Sequence, residues 1–332
     1  MSRWSVACVA VCAAVTAVSH AGLALRSAEG AKEGRLAAAV PGHAQRPVFR
    51  AVTDLVTVGV TVSTRGDPVS PRLTRDEFEV HEDGVPQSVS YFATGDDAAT
   101  TPPLHLGLLF DTSGSMGEDI QLARTAAIKF LNTLPEAVDV TLVDFDTEVR
   151  AARFTQADFP RLVERIRSRK PQGFTAIYDA LGVYLDGSAN DDGRTILVVF
   201  SDGGDTRSAL RFSEVLTLLR ASDVTVYSIG LIQNQSASVQ TAQRASLTRL
   251  AEESGGEAFF PRSMRDVETA YVAIEAQIRG QYTLGYLSTN TARDGRWRRV
   301  DVRVRREGLR GVEVRTRRGY FAPYKASEAA PR

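Results

Sequence analysis

The sequence predicts an α/β fold: a doubly wound, mostly parallel sheet with one antiparallel edge strand, inserted in or flanked by a small β-sandwich. Three observations predict it. Strand and helix patterns alternate from residue 104 to 280, as they do when βαβ units stack into one sheet. The apolar runs 138 to 146 and 148 to 154 are too close for a helical crossover, so they form a hairpin whose second strand is an antiparallel edge. On both sides of this region the pattern reverts to period-two alternation, the mark of half-buried strands.

At the start of the chain, Met1-Ser2-Arg3-Trp4 places a positive charge before the apolar run Ser5 to Val18 and the small-residue site Ser19-His20-Ala21. This is a secretory signal pattern with cleavage after Ala21, so residues 1–21 read as a signal peptide. The protein is then expected to be secreted or periplasmic, without stable membrane insertion after cleavage. An uncleaved membrane anchor is the alternative, because Gly22 to Leu25 extends the apolar character; His20 and the short core weigh against it. Both cysteines, Cys8 and Cys12, fall in this segment, which leaves the mature chain without disulfides or thiolate metal sites. Residues 22–46 are Ala/Gly-rich and read as a flexible linker.

Residues 47–97 form an N-terminal β flank. A strand is expected over 49 to 63, a second over Phe78 to Val85 running into the Asp83-Gly84 turn, and a third over Gln87 to Phe92. Thr100-Thr101-Pro102-Pro103 marks a boundary. In the 104–280 domain, strands are expected at 104 to 111, 138 to 146, 148 to 154, 195 to 201 and 224 to 231. Helices are expected at about 118 to 134, 158 to 168, 176 to 186, 212 to 222, 241 to 254 and 265 to 280. Strands return in the C-terminal flank, 281–322, before a tail over 323–332. In that flank Val300, Val302 and Val304 alternate with Asp301, Arg303 and Arg305, giving an Arg stripe that is either a solvated face or a surface for an acidic partner. The N-terminal flank (47–97) holds nine acids and four Arg, whereas residues 280 to 322 hold eleven Arg and four acids. Either flank alone has too few strands to be stable, so the two are expected to pair in one sandwich.

The functional signal lies at strand ends. Asp111-Thr112-Ser113-Gly114-Ser115-Met116-Gly117 follows the buried strand Leu104 to Phe110. Thr175 lies in a loop opening a helix, and Asp202 ends the apolar run Thr195 to Ser201. Singly, Ser113 and Ser115 suit a turn or helix N-cap, Thr175 an N-cap, and Asp202-Gly203 a turn. Asp205 reads as a turn or capping residue. Together they put carboxylates and hydroxyls at the carboxyl edge of a sheet, where ligands of open α/β folds bind. Oxygen donors of this kind suit a hard divalent cation.

This constellation resembles the von Willebrand factor type A domain with its metal-ion-dependent adhesion site. By that resemblance Asp111, Ser113, Ser115, Thr175 and Asp202 hold Mg²⁺, with Mn²⁺ or Ca²⁺ as substitutes, and the cation accepts a carboxylate from a partner protein. The flanks, with Phe78-Glu79-Val80-His81-Glu82-Asp83-Gly84, Tyr282-x-Leu284-Gly285-Tyr286 and Arg318-Gly319-Tyr320, look like those of the bacterial VWFA-related domain proteins over roughly residues 48 to 322.

The implied function is an exported, metal-dependent protein-binding module for adhesion or scaffolding; a structural envelope subunit with a purely stabilising metal is the alternative, and a hydrolase is less favoured. The 40 basic and 40 acidic residues cancel, giving no global attraction to nucleic acid. No enzyme is expected. Gly-x-Ser-x-Gly fails because Ser113 stands where the first Gly belongs. No dinucleotide or Walker motif is present, and His20, His43, His81 and His105 offer no plausible general base.

Overall fold

The computed structural model describes residues 55–64, 72–95, 101–134, 136–189, 191–306, 308 and 311–324. The expected signal peptide, the linker, residues 49 to 54 of the first strand and residues 325 to 332 of the tail lie outside the described residues. In chain order the flanking and central strands are β1 (Leu55–Thr64), β2 (Phe78–Glu82), β3 (Val85–Gln87), β4 (Val89–Thr94), β5 (Leu104–Asp111), β6 (Asp139–Phe145) and β7 (Val149–Thr155). They are followed by β8 (Arg194–Ser201), β9 (Thr225–Gly230), β10 (Ala258–Phe259), β11 (Tyr282–Leu287), β12 (Trp297–Val304), β13 (Val312–Thr316) and β14 (Gly319–Phe321). The helices are α1 (Ile120–Leu131), α2 (Phe159–Ser168), α3 (Ile177–Gly187), α4 (Phe212–Arg220), α5 (Ala237–Ser254) and α6 (Met264–Arg279).

The central sheet has the order β10-β9-β8-β5-β6-β7. Every neighbouring pair is parallel except β6 with β7, the hairpin edge that the short spacing predicts. The chain winds outward from β5 through β6 and β7, then returns to the other side of β5 with β8 and continues to β9 and β10. Strand order reverses at β5, so the crevice at its carboxyl end is a topological switch point.

β5 is apolar almost throughout because helices cover both of its faces. Leu104, Leu106, Leu108 and Phe110 enter one core with Ile120 and Phe130 of α1, Leu162 of α2 and Ile274 of α6. Leu109 enters the other core with Ile177 of α3, Val215 of α4 and Leu247 of α5. Gly107 lies under the Tyr184 ring, where a Cβ would sit 2.2 Å from the ring carbon Cζ. Gly107→Ala is therefore expected to overpack this core and cost about 1–3 kcal/mol. An unchanged denaturation midpoint would show that Tyr184 relocates freely.

Helix α5 begins at Ala237 instead of the expected 241, because Ser236 adopts the extended N-cap conformation that starts the helix one turn earlier. It ends at Gly255 with φ 85°, and a Cβ there would approach Thr316 Cα to 2.8 Å. Short strands β10 and β14 have too few residues to show a period.

The flanks form two four-stranded sheets, β13-β1-β11-β4 and β14-β12-β2-β3, that enclose a third core. β1 lies between β11 and β13, and β2 between β12 and β3, all antiparallel. Phe78, Phe92 and Tyr282 meet at centroid distances of 5.0 to 6.0 Å in this core. The expected single strand Gln87 to Phe92 is divided at Ser88. β3 stays beside β2 through the Asp83-Gly84 turn, whose residues both have positive φ as a tight hairpin requires. β4 crosses to pair with β11 in the opposite sheet.

The Arg stripe is neutralised within the chain. Arg305 pairs with Glu79, Arg306 with Glu77 at 2.7 Å and Arg303 with Asp301 at 2.8 Å. Truncation after Gly280 would remove both neighbours of β1 and the β12 neighbour of β2. Limited proteolysis of that truncated chain is expected to cut within residues 55 to 94, whereas full protection there would contradict the pairing.

Candidate metal centre

Asp111 ends β5, and Ser201 and Asp202 stand at the end of the neighbouring β8, so parallel pairing alone brings these residues to one edge. Asp111 is fully buried and Asp202 is 2% exposed. Asp111 Oδ1 accepts the Ser113 N–H at 2.9 Å, and Oδ2 accepts the Ser201 hydroxyl at 2.5 Å. The Ser113 and Ser115 hydroxyls are 3.0 Å apart. Asp202 accepts from the Gly204 N–H at 2.9 Å and from Gln235 Nε2 at 3.0 Å. Burial pushes the Asp111 carboxyl up to about 7; the hydrogen bonds from Ser113 and Ser201 act against this, and the Asp202 charge adds to it.

Thr175 sits on the adjoining loop between α2 and α3. Its N–H donates to Thr206 Oγ1 at 3.0 Å, and its carbonyl accepts from the N–H groups of Thr206 and Arg207 at 2.9 and 3.0 Å. Gly114 N–H donates to the Gly173 carbonyl at 3.1 Å, and Gln172 N–H to the Thr112 carbonyl at 2.9 Å, joining this loop to the Asp111 segment. The Thr175 side chain is buried, and its hydroxyl donates to no group among the described residues. It is not the N-cap of α3, a position that Ala176 occupies. Ser113 has N-cap geometry for the short turn Gly114–Gly117, but its side chain caps nothing.

Several supporting residues carry no sequence signal of their own. Ser208 Oγ accepts from the N–H groups of Tyr178 and Asp179, and the Asp179 carboxylate accepts from those of Ala209 and Leu210. Asp205 accepts from Ser208 at 2.6 Å, a turn role as its position suggests. Asp144, fully buried at the end of β6, has Arg165 Nη2 at 2.6 Å, Arg169 Nε at 2.8 Å and Arg150 Nη1 at 3.7 Å. The hydrogen bond formed is from Arg165 Nε to Asp144 Oδ1 at 2.7 Å; the Arg169 contact is close but not aligned as one. A polar residue ending an apolar strand run, as Ser201 does, is the one hint available beforehand.

Chemically, two buried carboxylates and three hydroxyls present an oxygen-only donor set. Among the described residues no group of three or more His, Cys, Asp or Glu side chains is placed to hold a metal, so a cation here would depend on the hydroxyls as well. Neither histidine among the described residues reaches this edge. His105 lies at the amino end of β5, bonded to Asp139 and the Asp192 carbonyl, and His81 lies in the sandwich.

The sequence profile of the von Willebrand factor type A domain matches residues 105–272, half of the chain. Among solved structures, the chain is similar to the PilB minor pilin from Streptococcus sanguinis, at 14% identity and a TM-score of 0.46, covering 56% of this chain and 63% of that chain. It is also similar to a von Willebrand factor type A protein from Catenulispora acidiphila, at 11% identity and a TM-score of 0.46, over 84% of this chain and 76% of that one. A third is the pilus adhesin SpaC from Lactobacillus rhamnosus GG, at 10% identity and a TM-score of 0.45, over 82% and 50%. The chain thus spans less than two-thirds of the pilin structure. No curated protein matches it. Among the described residues no helix is long and apolar enough to cross a membrane. With the profile matching residues 105–272, half of the chain and most of the alternating strand–helix region, the chain belongs to the von Willebrand factor type A domain family.

Proposed function

We propose that this chain is an exported protein-binding module, of adhesion or scaffold type, in which Asp111, Ser113, Ser115, Thr175 and Asp202 hold Mg²⁺ and a partner protein supplies a carboxylate. The observation that carries this reading is the pair Asp111 and Asp202, buried at adjacent strand ends. Their hydrogen-bond partners are hydroxyls, backbone amides and Gln235, none of them a cation. Two buried carboxylates without a positive partner are costly, and a hard cation is the compensation that an oxygen-only donor set favours.

When bound, the cation supplies an electrophilic centre that accepts an anionic oxygen. The protein's own groups do the rest. Ser201 and the Ser113 N–H orient the Asp111 carboxylate, Gln235 orients Asp202, and Thr206 fixes the Thr175 backbone. Ser115 is exposed while Ser113 is buried, so the site opens to solvent beside Ser115.

Calorimetric titration with Mg²⁺ is expected to show one site in the full chain, lost in Asp111→Ala and weakened in Ser113→Ala without unfolding. Undiminished Mg²⁺ binding by Asp111→Ala would overturn the assignment. Partner binding that survives EDTA would leave the cation a stabilising role only.

A further inference from the structure

We propose that Phe174 and Arg207 form a partner-selecting rim, so that the segment recognised carries its metal-directed acidic residue beside an apolar side chain and a second acid. This rests on the metal-dependent reading above. Phe174 is 62% exposed although it is a large aromatic. A single exposed apolar residue is ordinary on a protein surface, but two features distinguish this one. It immediately precedes Thr175, and its backbone is held on both sides: Phe174 N–H donates to Thr147 Oγ1 at 3.0 Å, and Thr175 N–H to Thr206 Oγ1 at 3.0 Å. Gly173 completes the restraint with φ 71°, at a position where a Cβ would lie 2.4 Å from Thr147 Oγ1. An aromatic on such a backbone costs little further ordering when a partner covers it.

Arg207 reaches the same point from the other loop, its N–H donating to the Thr175 carbonyl at 3.0 Å. Its side chain is exposed and makes no ion pair among the described residues. On the Ser115 side the rim is acidic, with Glu118 exposed and Asp119 bonded to Asn234 at 3.2 Å. The opening is thus apolar and cationic beside Thr175 and anionic beside Ser115. Charge complementarity of this kind sets the register of a bound segment, placing its acidic and apolar neighbours over Thr175 and disfavouring acids over Glu118. Aromatic and Arg side chains are also the types that most often dominate binding energy.

The test is selection from a phage-displayed random peptide library on the immobilised full chain in Mg²⁺, with elution by EDTA. Wild type is expected to enrich peptides that combine an acidic residue with an adjacent apolar one. A selected peptide should bind F174A about tenfold more weakly or worse, and R207Q should relax the demand for a second acid. Acidic peptides without apolar bias, or equal affinity for F174A, would overturn the rim and leave the metal reading standing. If EDTA releases no enriched peptides, or Asp111→Ala enriches the same ones, the metal reading fails and the rim with it. Phe174 is exposed, so F174A tests recognition without threatening the fold.

Discussion

Without a divalent cation, the chain is expected to lose on the order of 4 kcal/mol of unfolding free energy through Asp111 alone as pH rises from about 4 to about 8. The carboxyl is raised to about 7 in the folded state from an ordinary value of 3.8. Below the lower value both states carry the proton and the buried carboxyl costs nothing extra. Between the two values the unfolded chain releases its proton while the folded chain retains it, so stability falls with pH; above about 7 the loss is complete. Carboxylates held below their ordinary range, such as Asp146, where burial is outweighed by the Glu148 N–H and then Arg150, give the opposite slope at lower pH. The Asp111 contribution is therefore read as the difference between wild type and Asp111→Asn in denaturant titrations at each pH. A difference that does not change with pH would show that Asp111 is not buried as described. Saturating Mg²⁺ should reverse the trend, because the cation binds the deprotonated carboxylate; at a hundredfold excess over Kd it would contribute about 2.7 kcal/mol.

Asp144→Ala is expected to cost about 3 kcal/mol, the lower end of the range for removing one member of a buried charge cluster. Its carboxylate is fully buried, whereas the side chains of Arg150, Arg165 and Arg169 remain 25 to 31% exposed, so solvent relieves part of their mutual repulsion. The consequence should reach the candidate site. Arg124 donates to the Arg169 carbonyl, and Gln172 follows three residues later with its N–H on Thr112. The substitution is thus expected to weaken Mg²⁺ binding as well as stability. Asp144→Asn, which keeps the shape but not the charge, should show a smaller loss. Stability and Mg²⁺ affinity both at wild-type levels in Asp144→Ala would exclude this role for the cluster.

Much of the central domain was legible because its signals are local. Apolar runs and helical periods specify β5 to β9 and α1 to α6 without reference to distant residues. The close spacing of β6 and β7 leaves only a hairpin. Asp111, Ser113 and Ser115 could be read as a group because they lie in one short segment, Thr175 because it stands in a loop that opens a helix, and Asp202 because it follows a strand whose carboxyl edge is predictable in a parallel sheet.

The sequence by itself therefore determined the element types, the parallel sheet with its antiparallel edge, and the choice of candidate oxygen donors. Tertiary structure alone decided which distant groups meet. Ser201 orients Asp111 from a position 90 residues away in the chain, and Thr206 holds Thr175 from 31 residues away. Gln87 to Phe92 reads as one strand by period, yet two sheets compete for its backbone and divide it at Ser88. The Arg stripe reads as an unpaired charged face until β12 is placed beside β2, where Glu79 meets Arg305. The physical reason is common to all of these. Periodicity records whether a side chain faces core or solvent, whereas hydrogen bonds and ion pairs between loops depend on which backbones are adjacent, and that adjacency exists only once the sheets have formed.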